Sequence, residues 1–253
     1  MKAERKRLIR STTESGISPQ EKISGGHVWC FRGIFFLFTW WFLGVRYGDF
    51  LYFVQEHDLF LWNQDFLTDH LVRPGGLNEW LTSLMIQFFY VPHWGSLIPA
   101  FLLTVLTWQT VSFLRLRRDW WPLAAIPTCL LMNAVVYSGY QICEYGFFRF
   151  SFGMISGLNI ALWIGQMGGR SLWRDLLLTV IGYPLFGSFA LFGGILAIVR
   201  TLTMWLSGMN EGFPWRGILV RFLVISGTPL WYYMMWYSDQ IPFHRIFGIG
   251  TEE

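Results

Sequence analysis

Charge is what this sequence lacks. Only 14% of its 253 residues are charged, against about a quarter in soluble domains, so polar surface is too scarce to cover a water-facing globule. Cysteine is scarce as well. Cys30, Cys129 and Cys143 are odd in number and lie in or beside apolar segments, which argues for free thiols over a disulfide framework or a Cys-rich metal site. The net charge of +3 is too small to point to a nucleic-acid partner. There is no Walker loop, dinucleotide fingerprint or HExxH spacing, and no Ser/His/Asp arrangement. No removable signal peptide is expected: residues 1–27 are polar and basic, without a short apolar core and small-residue cleavage site.

What is abundant is apolar surface. The chain is 53% hydrophobic and 19% aromatic, with a mean hydropathy of +0.39, and its natural solvent is lipid. A membrane helix needs about 20 largely apolar residues, and such runs lie near 31–52, 94–114, 120–140, 151–168, 176–199 and 217–237. The fold class is therefore an all-α polytopic membrane bundle of about six transmembrane helices. A flexible cytoplasmic tail (1–27) precedes a single transmembrane domain (28–240), and a short tail (241–253) follows. The main rival has five spans, with 200–216 tucked into the membrane.

With the N-terminus inside, twelve basic residues fall on the cytoplasmic side: Lys2, Arg5, Lys6, Arg7, Arg10, Lys22, Arg115, Arg117, Arg118, Arg170, Arg174 and Arg245. The outer loops hold Arg73, Arg149, Arg200 and Arg216. That asymmetry fits the positive-inside rule and predicts six spans with both termini on the cytoplasmic side. Acids lean the other way, since Asp49, Glu56, Asp58, Asp65, Asp69 and Glu79 share the first outer loop.

Within that loop, Gln55 to Val72 reads as one amphipathic helix, with Asp58, Asp65 and Asp69 within about 40° of one another as an acidic ridge. Then comes "RPGGL". Pro74 pushes Arg73 out of the helical region, and Gly75 with Gly76 permits a sharp reversal. Asn78 is placed to cap the next helix, which runs over 79–91, too short to span, until Pro92. The expected result is an outer interfacial helical hairpin over 55–91.

An acidic amphipathic helix, then "RPGGLNEWLTSLMIQFFYVPHWGSLI", then the basic turn "RLRRD" resembles an uncharacterised family of multi-pass membrane proteins. The family is one of unknown function from Gram-negative anaerobes. "IGYPLFGSFALFGGILAIVRTL" fits its pattern too. The match covers roughly residues 45 to 205, and the Pro-Gly-Gly-Leu turn is its most specific part. The resemblance implies an integral envelope membrane protein and no known activity.

The strongest pattern lies in the fourth run. Gly153, Gly157, Ala161, Gly165 and Gly169 recur every four residues, leaving a groove into which a neighbouring backbone fits. Packing within one chain is the first account, and an interface with another membrane subunit or a second copy the alternative. Asn159 and Gln166 are placed to add interhelical hydrogen bonds of about 0.6 kcal/mol each. The polar residues read at mid-membrane are these two and Asn133, with no ionisable group, which argues against an ion-coupled pump.

Two functions follow as expectations. The first is a non-catalytic component of an envelope assembly or export complex, with lipid and other membrane subunits as partners and no cofactor. The second is a membrane glycosyltransferase of the GT-C type acting on a lipid-linked sugar. There Asp49, Glu56 and Asp58 would activate the acceptor or hold a divalent metal, and Asp49 would otherwise pair with Arg46 on one helical face. His57, His70 and His93 share the loop but lack a compact metal-ligand spacing.

Overall fold

In lipid a backbone amide finds no water, so apolar runs must satisfy their hydrogen bonds internally, as helices. The computed structural model describes residues 19–116, 118–142, 145–167, 171–206 and 214–237, and these hold helices and turns with no strand. Helix α1 (Pro19–Trp41) starts inside the segment expected to be a tail and ends in a π-turn at Phe42–Arg46. Three short helices follow: α2 (Gly48–His57), α3 (Gln64–Leu71) and α4 (Gly76–Gln87). After a single helical turn at Pro92–Gly95 come the longer helices α5 (Leu97–Leu114), α6 (Ala125–Ile142), α7 (Tyr145–Met167), α8 (Leu172–Phe186), α9 (Ser188–Leu206) and α10 (Trp215–Tyr232).

Contacts fix the direction of each long helix. The Trp40 indole donates to the His93 carbonyl (2.7 Å), and Arg32 stacks on Trp108 at 4.7 Å, so α1 and α5 are antiparallel. Asn159 reaches Leu102 and Gln166 reaches Gln109, so α5 and α7 are parallel. Thr107 bonds Thr128 near the α5–α6 connection, which makes α6 antiparallel to α5. Gly157 lies under Phe189 and Gly165 under Leu196, so α9 is parallel to α7. Asp175 meets Arg221 and Tyr183 stacks on Tyr232, so α10 is parallel to α8.

Between α8 and α9 the chain reverses. Gly182 lies against Ala190, and Thr179 against Gly194, which is the pairing of an antiparallel hairpin turning at Gly187. The apolar run at 176–199 is therefore two helices and not one span. Pro184 lacks an amide hydrogen, and Gly187 supplies a positive φ of 59°, so together they end one helix and redirect the chain. Residues 200–206, expected in an outer loop, are the last turns of α9. Among the described residues, seven long helices thus alternate in direction. The last one carries the chain, at Tyr237, to the end opposite the start of α1, whereas both termini were expected on one side; the expected tail 241–253 lies outside the described residues.

The core sits at the end of the bundle where α2 and α4 lie. Leu43, Leu51, Val54, Ile86, Phe89 and Leu103 are buried together.

Candidate functional site

The turn between α3 and α4 organises this end. Gly75 adopts a left-handed conformation (φ 90°, ψ 0°) and starts α4 at Gly76. Its amide donates to the carbonyl of Pro184 (3.1 Å), one of the orphan acceptors in the last turn of α8. Two glycines meet here backbone to backbone. A Cβ on Gly75 would stand 3.3 Å from the Gly187 nitrogen, and one on Gly187 would stand 3.1 Å from the Pro74 carbonyl. Within the expected 55–91 hairpin the structure has a shorter pair of helices, Gln64–Leu71 and Gly76–Gln87, and the turn between them is fastened to the reversal of the α8–α9 hairpin.

Asn78 does not cap α4, because Gly75 already begins the helix. Its amide instead donates to the Gly153 carbonyl (3.0 Å) and accepts from the Ser156 hydroxyl (2.6 Å) on α7. Arg73 is exposed in the turn, its amide donating to the His70 carbonyl.

The acidic ridge is broken. α2 stops at His57, and Asp58 has extended backbone (φ −99°, ψ 107°). Aromatic packing removes the segment from the helix: Phe60 sits 5.5 Å from both Phe66 and Trp80, and Trp62 sits 6.1 Å from Trp80. Asp65 and Asp69 remain exposed on α3, whereas Asp58 is buried and its carbonyl accepts from the Gln87 amide (2.8 Å). Asp49 and Glu56 are exposed on one face of α2, about 10 Å apart along its axis. The Tyr52 hydroxyl bonds Glu56, and its ring lies 6.3 Å from Tyr90. Of the three carboxylates singled out for catalysis, two share a surface and Asp58 does not. Arg46 and Asp49 are split by non-helical Tyr47 and form no ion pair. Among the described residues no three of His, Cys, Asp and Glu form a metal-binding group.

The small-residue face of α7 is occupied from within the chain. An added Cβ on Gly157 would lie 2.3 Å from the Phe189 ring, and one on Gly165 would lie 2.7 Å from Leu196 Cβ. Ala161 is fully buried, its carbonyl 3.0 Å from the place a Gly193 Cβ would take. Gly153 faces Asn78 and Thr82 of α4, and Gly169 lies outside the described residues. Asn159 and Gln166 make the expected interhelical bonds, at 3.1 and 2.7 Å.

An ion pair was missed by sequence reasoning. Arg221 donates through Nε (3.0 Å) and Nη2 (2.6 Å) to one carboxylate oxygen of Asp175, both side chains being buried. Thr179, one turn on, donates to the Asp175 carbonyl, and a pocket with room for roughly one water lies alongside. Arg221 stood visibly within the run 217–237. The expected start of the neighbouring run at 176 cut Asp175 away from its helix. The argument against ion coupling from a lack of intramembrane charge therefore loses its premise.

Fold and contacts define the class of protein, a helical bundle with membrane-crossing character. His93–Leu114, Ser188–Leu206 and Trp215–Trp236 are each long and apolar enough to cross a membrane. Within that class, the chain belongs to a family of unknown function, DUF6057, whose sequence profile matches residues 24–249. This agrees with the resemblance carried by the Pro-Gly-Gly-Leu turn. No curated protein and no solved structure matches the chain.

Proposed function

We propose that the protein is a multi-pass component of a bacterial cytoplasmic membrane that holds a fixed platform at the outer face for an envelope assembly or export complex, without catalysis of its own. One observation carries the reading: the backbone lock between Gly75 and Gly187, which fastens the α3–α4 hairpin across the end of the bundle. No residue of α3 is buried, and beside it Trp62 is 80% exposed. The hairpin thus presents Asp65, Asp69 and an apolar shoulder outward, as a surface offered to another subunit would.

Charge supports the orientation. Reversal at Gly187 brings Arg200 and Arg216 to the same end as Arg115 and Arg174, where α1 begins. Asp49, Glu56, Asp65, Asp69 and Glu79 belong to the opposite end. Positive residues retained on the cytoplasmic side put the N-terminus inside, and seven passes put Tyr237 outside.

The test is complementation of a deletion strain, scored by envelope integrity at equal protein level. Asp49→Asn, Glu56→Gln and Asp58→Asn each retain function, and Gly75→Val loses it. Loss of function in the carboxylate variants, with Gly75→Val active, would overturn the platform in favour of a transferase.

A further inference from the structure

Asn159 and Gln166 place their amide donors on the carbonyls of Leu102 and Gln109, across a helix interface. Asn133, the third amide expected at mid-membrane, does not. It lies on α6, which packs against α5 and α7 and turns Thr128 and Met132 inward. The opposite face of α6 carries Ile126 (51% exposed), Leu130 (64%) and Asn133, which is exposed as well. Among the described residues the Asn133 amide makes no hydrogen bond. Its depth follows from the helix register. Thr107 of α5 meets Thr128, and Asn133 lies about 7.5 Å farther along α6. That level is the level of Leu102, near the middle of the apolar helix His93–Leu114.

We propose that this face of α6 binds a second copy of the chain, with the two Asn133 side chains hydrogen-bonded to each other. An amide facing hydrocarbon forfeits the hydrogen bonds that water would supply, so a membrane helix turns it toward a polar partner. Copies inserted in the same direction are related by a two-fold axis along the membrane normal. Their α6 helices then run parallel, and both Asn133 side chains lie at one depth. A carboxamide carries donor and acceptor together, so two of them complete each other across the axis in an isologous contact. Any other partner would need its own polar side chain at that level, whereas a second copy supplies one by symmetry. The spacing agrees. Ile126, Leu130 and Asn133 stand four and three residues apart, the repeat of a seam between parallel helices in which one asparagine fixes the register. On α10 the exposed mid-helix residues Leu219, Phe222 and Leu223 are all apolar, a face that lipid alone can cover.

The inference needs membrane placement of the bundle, and neither the platform nor the side on which the N-terminus lies. It is tested by light scattering of the full chain in mild detergent, and by disulfide formation in membranes that carry two differently tagged copies. Wild type is a dimer. Asn133→Leu raises its dissociation constant about tenfold, as loss of an interhelical amide contact should, and Asn133→Gln, which keeps an amide, retains most of the association. With Cys30, Cys129 and Cys143 replaced by serine, Leu130→Cys links the two tags on mild oxidation and Phe222→Cys does not. That readout does not depend on folding of the Asn133 variants. A monomeric wild type, a dimer undiminished in Asn133→Leu, or linkage through Phe222→Cys in place of Leu130→Cys overturns the proposal. A complex with a different protein, lost in Asn133→Leu and with no link between the tags, overturns the second copy as the occupant.

Discussion

Arg221 and Asp175 lie 46 positions apart and meet at 2.6 Å inside the bundle, with side-chain exposures of 7% and 3%. The pair ties α10 to α8. α10 is otherwise weakly held, since only 17% of its most apolar stretch is buried, and the Tyr183–Tyr232 stack at 5.8 Å is the matching contact near its other end. Removing one partner of a buried pair strands the other charge. Arg221→Leu or Asp175→Leu is expected to cost about 3–5 kcal/mol, and the double substitution to recover much of that loss. Unfolding in detergent micelles, run as a double-mutant cycle, checks this, and additive losses would show that the pair is not coupled.

Gly187→Val and Gly75→Val each place a side chain at a positive φ and against a neighbouring backbone. Each is expected to lose about 1–3 kcal/mol, with protease sensitivity rising at the α3–α4 turn. Gly227→Ala, where an added Cβ meets nothing within 4 Å, is expected to gain roughly 0.5–1 kcal/mol within its helix. Equal effects at all three positions would dissolve the lock.

Gly157→Leu must displace the Phe189 ring. Overpacking of this kind costs about 1–3 kcal/mol, and the prediction is a less stable chain with unchanged oligomeric state. Thermal unfolding, together with light scattering in detergent, separates that outcome from loss of a complex.

What could be read in advance follows from which forces are local. Helix existence was legible because lipid leaves an apolar run no alternative, and "RPGGL" was legible because proline and glycine act on their own backbone. Asn159 and Gln166 were legible because amides in an apolar helix seek a carbonyl across the interface. Three other features depend on partners distant in sequence. Asp58 leaves the acidic ridge because Phe60 and Trp62 pack on Trp80, and Asn78 abandons its cap for Gly153. The reversal at Gly187 hides in an unbroken apolar stretch. One signal for it was available: continuous helix from 172 to 206 would run about 52 Å at 1.5 Å per residue, too long for one crossing, with Pro184 and Gly187 at its middle.

The arrangement of the passes is tested most directly by single-cysteine labelling in intact cells with a membrane-impermeant maleimide, in a background where Cys30, Cys129 and Cys143 are replaced by serine. Gln64→Cys and Tyr237→Cys should label without permeabilisation, whereas Leu116→Cys and Trp215→Cys should label only after it. Labelling of Tyr237→Cys together with Leu116→Cys, on the same side and apart from Gln64→Cys, would contradict the alternating bundle and its reversal at Gly187.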